Sequence, residues 1–286
     1  MKSAKIRRAL FAGSWYPARA SECEREINQF LKEGESFPAP DRTLVGGIVP
    51  HAGWYFSGSI ACNVIHCLRS VEAPDAVVVF GMHLHPDSPC FIMTEGAWET
   101  PFGELPVHEK LAGEIAERFD VSIETPTKFT QDNTVELQLP FIKYFFEDVN
   151  VVAMGVPPAK RSLEIGQSIA NLATRLDLKI IVLGSTDLTH YGHNYGFVSR
   201  GSGPQAVHWV KHENDRRVID TMLTMEPEHV INEALANQNA CCAGAAATAI
   251  AAAKALGAKK AETIAYATSY DKSPGDSVVG YVGIVF

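Results

Sequence analysis

No basic surplus, no long apolar run and no paired-cysteine spacing occur in this 286-residue chain, and each absence removes a class of function. Its 25 Lys and Arg are outnumbered by 33 Asp and Glu, giving a net charge of −8, and nowhere do they form a stripe that could track phosphates. Nucleic acid is therefore not an expected partner. No stretch approaches the ~18 apolar residues of a spanning helix, and the opening MKSAKIRRALFAGSWYP, although basic, lacks an apolar segment of signal-peptide length. The expectation is a cytoplasmic protein that does not engage a membrane. Six cysteines, at 23, 62, 67, 90, 241 and 242, show neither CxxC spacing nor the density of a disulfide scaffold, so free thiols in a reducing compartment are expected. With no Pro/Ser linker, composition shift or internal repeat, one domain over residues 1–286 is expected.

What the chain does have is alternation. Apolar, β-branched runs at 44–50, 76–81, 150–156, 179–184 and 278–286 predict buried strands. Between them, helical spacing predicts helices over 20–33, 57–70, 108–119, 134–147, 161–175, 212–223, 227–236 and 243–256. Such alternation implies an α/β fold, a mixed and mostly parallel sheet flanked by helices. The last of these helices is almost all alanine, a thin profile that can lie close against a sheet, and 195–206 reads as a surface loop.

Polar motifs follow directly on three of the strands: PHAGW at 50–54, GMHLH at 81–85 and STDLTHYG at 185–192. Ligands of open α/β sheets bind at the carboxyl ends of the strands, so these motifs are expected to meet in one pocket. His51, in a tight turn before Ala52-Gly53, is expected to present its imidazole to that pocket and not to be buried under a helix. His83 and His85 lie two apart, on the same face of an extended segment, so either could be a ligand, with His83 preferred. Asp187 and His190, three apart, suit a carboxylate orienting an imidazole, or two groups facing one substrate. Cys242 precedes a helix whose N-terminus favours the thiolate; its neighbour Cys241 is expected to project away. Trp15, Tyr16, Trp54 and Tyr55 adjoin glycine-containing turns and are either core or pocket wall.

Taken together, Ala12-Gly13-Ser14-Trp15-Tyr16-Pro17, Pro50-His51-Ala52-Gly53-Trp54, Thr100-Pro101, Val135-Glu136-Leu137-Gln138-Leu139-Pro140-Phe141, Ser185-Thr186-Asp187-Leu188-Thr189-His190 and Ser277-Val278-Val279-Gly280-Tyr281 resemble, in order and spacing, the motifs of the Memo family. That family, the B component of a group often found alongside a radical S-adenosylmethionine protein, resembles class III extradiol dioxygenases in fold. The resemblance implies two histidines and a cysteine as metal ligands, here His51, His83 and Cys242; Cys242 is preferred over Cys241 because it lies three residues after Asn239 in an N-x-x-C pattern. This chain departs from the pattern in three places. Gly81-Met82-His83 is one residue shorter than the usual Gly-Pro-Ser/Asn-His, Asn133 stands where the family's Glu-His-Ser-x-Glu has histidine, and Ala243 follows Cys242 where glycine is usual.

Two imidazoles and a third anionic ligand would leave positions open on Fe(II), the expected ion, for substrate and dioxygen, with His190 as the acid/base and Asp187 as the other catalytic residue. The thiolate draws the site toward softer metals, so copper and zinc are alternatives. Trp15, Tyr16, Trp54 and Asn133 are expected around a pocket that takes a small molecule or a peptide. The other reading is a non-catalytic binding or accessory protein working with a radical S-adenosylmethionine partner, because an amide at Asn133 cannot shuttle a proton.

Overall fold

The computed structural model describes residues 6–35, 43–69 and 73–286. Residues 1–5 of the opening stretch and Ser70, the last residue of the second predicted helix, lie outside the described residues. The strands are β1 (Ile6–Arg7), β2 (Gly46–Val49), β3 (Ala76–Gly81), β4 (Cys90–Met93), β5 (Ala97–Thr100), β6 (Gly103–Pro106), β7 (Val121–Glu124), β8 (Asn150–Gly155), β9 (Ile180–Ser185), β10 (His190–Gly192), β11 (Glu262–Thr268) and β12 (Ser277–Val285). The helices are α1 (Ala20–Gly34), α2 (Trp54–Cys67), α3 (Glu109–Arg118), α4 (Asn133–Glu136), α5 (Leu139–Phe145), α6 (Lys160–Arg175), α7 (Pro204–Trp209), α8 (Asp215–Leu223), α9 (Pro227–Asn237), α10 (Ala243–Ala255) and α11 (Ser269–Lys272). No helix among the described residues is long and apolar enough to cross a membrane.

Among the described residues the main sheet has nine strands in the order β10-β12-β2-β9-β3-β8-β4-β7, with β11 paired to β12. Its centre, β2-β9-β3-β8, is parallel, while β12 and β4 join its two sides antiparallel. The central strands are continuous apolar runs because helices cover both faces. A Cβ on Gly47 would meet the Val64 side chain of α2, whereas one on Gly184 would meet α10, and the register pairs Ile48, not Gly47, with Gly184. Helices α2 and α10 therefore lie on opposite faces.

Sequence patterning located this centre and β12 but not the other margins. The four-residue strands β4 to β7 carry no sustained β-branched run, and the helix predicted over 134–147 is split into α4 and α5 by Leu137-Gln138. A π-helical turn, Val210–Asn214, replaces the start of the helix predicted from 212. A separate small sheet, β1-β5-β6, is fastened by Arg7, whose guanidinium lies 4.0 Å from the Trp98 ring and 3.9 Å from that of Phe129 and pairs with Glu124 at 2.7 Å.

Two features of the centre matter for function. Val49 is level with Ser185, and Phe80 with Gly184, so β2, β9 and β3 end side by side and deliver the segments after them to one place. In addition, the alanines of α10 let it approach β9 at backbone contact: a Cβ on Gly184 would sit 2.8 Å from the Ala245 carbonyl oxygen and 2.9 Å from Ala246 Cα. We expect Gly184→Val to lower the unfolding free energy by about 1–3 kcal/mol, as overpacking does, measured by urea denaturation. An unchanged midpoint would show that α10 can move outward freely.

Candidate metal centre

His51 follows β2 in a turn whose backbone is held from three directions. Its N–H donates to Asp187 Oδ1 at 2.7 Å, its carbonyl accepts from Asn133 Nδ2 at 2.9 Å, and the preceding Pro50 carbonyl accepts from Gln138 Nε2 at 2.9 Å. The imidazole Nδ1 lies 3.0 Å from Ser185 Oγ. That hydroxyl gives its single proton to the Thr134 carbonyl at 2.7 Å, so toward His51 it can only accept. Nδ1 therefore carries a hydrogen, and Nε2 points at Cys241 Sγ, 3.2 Å away.

His83 comes from the short turn after β3. Met82 sits at φ 71°, a left-handed conformation uncommon outside glycine, and its N–H donates to Thr134 Oγ1 at 2.7 Å. A Cβ on Gly81 would collide with that hydroxyl, and one on Gly155 would collide with the Met82 sulfur. The turn brings the His83 ring to 5.0 Å from that of His51, nearly perpendicular, with Nδ1 3.2 Å from Asp132 Oδ2.

The thiols come from the segment entering α10. Cys241 N–H donates to the Asp187 carbonyl at 3.1 Å and Cys242 N–H to Thr186 Oγ1 at 3.1 Å, with 3.8 Å between the sulfurs. One ligand atom from each of His51, His83, Cys241 and Cys242 lies within 4.8 Å of all the others. A tetrahedral ion with M–S of ~2.3 Å and M–N of ~2.0 Å separates its ligand atoms by about 3.3–3.8 Å. The 3.2 Å N–S and 3.8 Å S–S separations thus fit a metal ion with small adjustments, and the nitrogen and sulfur donors suit one of intermediate to soft character.

Electrostatics separates the two sulfurs. Burial by itself would raise the Cys241 thiol, but the Cys242 S–H and the two imidazoles bring it well below its ordinary value. Cys242 moves the opposite way, pushed up by burial and by the adjacent Cys241 sulfur. Burial would lower both imidazoles, yet both are raised: His51 because Asp187 and Cys241 outweigh it, and His83, to about 10, because Asp132 and Cys241 do. The Cys241 and imidazole shifts run toward the charged forms, thiolate and imidazolium, and because ligation needs neutral imidazole, a metal ion held here would have to displace their protons.

The structure brings His51, His83 and Cys242 together and adds Cys241, which sequence spacing expected to project away. Cys242 is the residue capping α10, 3% exposed, whereas Cys241 lines the adjoining cavity. His51 is itself buried, 2% exposed, and is not among the residues lining that cavity, so its imidazole is not presented openly. The cavity, about 440 Å³, is bounded by His83, His85, Leu188, His190, Tyr195 and Cys241 among others. His85 stands on its rim, outside the donor cluster. His190 lines the same cavity, and its Nδ1, 3.1 Å from the Leu188 carbonyl, must donate, which leaves Nε2 as the ring's acceptor. Among the described residues no hydrogen bond joins Asp187 to His190. Asp187 is buried under the His51 backbone, and that burial raises its carboxyl above the ordinary range.

Trp15, Tyr16 and Trp54 line a different hollow, of about 550 Å³, beside α1. Trp54 is stacked on Phe141 at 4.1 Å and Tyr16 donates to Glu136 at 3.0 Å, and none of Trp15, Tyr16 and Trp54 lines the cavity that Cys241 borders. Asn133 reaches the centre only through the His51 carbonyl. Cys241 was set aside in favour of Cys242 on spacing, and Asp132 and Thr134 were not singled out by sequence; they sit in a segment whose only apparent signal was the amide at Asn133.

A model of the family described as "Memo-like protein" matches residues 7–285. A MEMO1 family protein of Pyrococcus furiosus is 34% identical over 290 residues, covering 98% of each chain. One from Methanopyrus kandleri is 32% identical over 288 residues, covering 96% of each. Among solved structures, an uncharacterized protein from Escherichia coli K12 aligns with a TM-score of 0.53 at 11% identity, covering 85% of this chain and 99% of that one, a likeness of fold alone.

The asymmetry between the sulfurs has a direct readout. At pH 7 without metal, iodoacetamide is expected to modify Cys241 roughly tenfold faster than any other cysteine, and added Zn(II) to slow it. Mass spectrometry showing Cys242 modified first would reverse the order of the two thiols.

Proposed function

The chain belongs to the Memo family, and from that premise we propose that it holds one metal ion, Fe(II) by expectation, through His51, His83 and Cys241 and carries out dioxygenase-like redox chemistry on a small molecule. The observation that supports this reading is the convergence of two imidazole nitrogens and a thiolate-favouring sulfur, with two of the three residues, His83 and Cys241, lining a cavity large enough for such a molecule. When bound, the ion supplies a redox-active Lewis acid with positions free for substrate and dioxygen. The remaining work falls to the chain. Asp187 and Asn133 fix the His51 backbone, Ser185 fixes its ring, and the raised Cys242 S–H supports the Cys241 thiolate. His190, a lining residue of the cavity whose Nδ1 is held by the Leu188 carbonyl, takes or returns a substrate proton at Nε2, beside Tyr195 at 5.0 Å between ring centroids.

Reconstitution under anaerobic conditions tests the ligand set. Wild-type protein is expected to take up one Fe(II) per chain; His83→Ala and Cys241→Ser should each weaken binding at least tenfold, and His85→Ala should leave it unchanged. Oxygen consumption with a catechol-like substrate then tests the chemistry, and His190→Ala should slow it about 10²-fold or more without releasing the metal. A wild-type chain that takes up no metal would instead favour the non-catalytic binding role.

A further inference from the structure

We propose that Asp132 is the positioning residue of this centre, holding His83 with a proton on Nδ1 so that Nε2 is the nitrogen offered to the metal; this rests on the reading of His83 as a ligand. The two carboxylate oxygens of Asp132 have separate tasks. Oδ1 accepts from Thr134 N–H at 2.8 Å, which makes Asp132 the N-terminal cap of α4, and also from the Thr134 hydroxyl. Oδ2 accepts from His83 N–H at 3.3 Å and from Nδ1 at 3.2 Å. A carboxylate is an acceptor only, so Nδ1 must bring the hydrogen.

The side chain of His83 is 46% exposed, so packing does not fix its ring, and that of Asp132 is 10% exposed, a rigid anchor. The same Thr134 that fixes Asp132 through its hydroxyl fixes Ser185, and with it His51, through its carbonyl. Both imidazoles thus take their orientation from one residue of α4, by two separate routes.

Asp132→Asn isolates the His83 contact, because asparagine caps a helix as well as aspartate does. Its amide oxygen can keep the Thr134 bonds, which turns the NH₂ toward His83 Nδ1 and sets donor against donor. We expect zinc affinity, measured by competition with a chromophoric chelator, to fall about 10–100-fold, with the thermal unfolding midpoint retained. In zinc-loaded wild-type protein, nitrogen-15 NMR of the histidine rings should show His83 protonated at Nδ1 and bound through Nε2, a pattern lost in Asp132→Asn. If wild type binds zinc and Asp132→Asn binds equally well, or keeps the same ring pattern, Asp132 has no positioning role and the ligand set stands. If wild type takes up no zinc, the ligand set and the inference fall together.

Discussion

The backbone contact between β9 and α10 is the constraint on which the centre depends. Gly184 and the alanines of α10 bring strand and helix to a separation that no larger residue allows, and the segment entering α10 carries both thiols. Because β9 also neighbours β2 and β3, whose following turns carry His51 and His83, the helix, once seated, sets its sulfurs against the imidazoles. A helix displaced by one methyl group would lose the 3.2 Å approach of Cys241 to His51. The apolar packing of the fold and the chemistry of the pocket are one geometric problem.

Polar groups buried around the centre are held in a connected network, which such groups need if they are not to cost stability. Asp187 takes the His51 N–H, the Asp187 carbonyl takes the Cys241 N–H, and Thr186 takes the Cys242 N–H. The loop after β9 therefore braces the histidine side and the cysteine side at once. A second buried cluster continues behind it: Asp215, its carboxyl raised to about 6 chiefly by burial, accepts from Thr189 N–H and the Tyr266 hydroxyl, while Asn214 Nδ2 donates to Thr189 Oγ1.

Legibility in the sequence followed physical cause. Strands covered on both faces must be apolar throughout, so β3, β8 and β9 could be read, and the polar residues directly after β2, β3 and β9 had to meet at their ends. The strands β4 to β7 are four residues each, too short for a period to establish itself. Adjacent cysteines cannot be distinguished by spacing; which sulfur turns toward the imidazoles depends on where α10 begins and on the Thr186 and Asp187 contacts that hold its entry. The aromatic residues at 15, 16 and 54 were visible as a group, but adjacency along the chain does not reveal which hollow they border. Asp132 was hidden because its importance comes from a bond across 49 residues.

The short turn at Met82 also bears on how such a sequence can change over time. The left-handed residue is tolerated because Thr134 bonds its N–H, Gly81 leaves space for that hydroxyl, and Gly155 leaves space for its sulfur. Substitution at any one of the four alters what the other three can be, so their effects do not add. A lineage that lengthened this turn would be released from all of these demands together, whereas one that kept it short inherits positions 81, 82, 134 and 155 as a single unit.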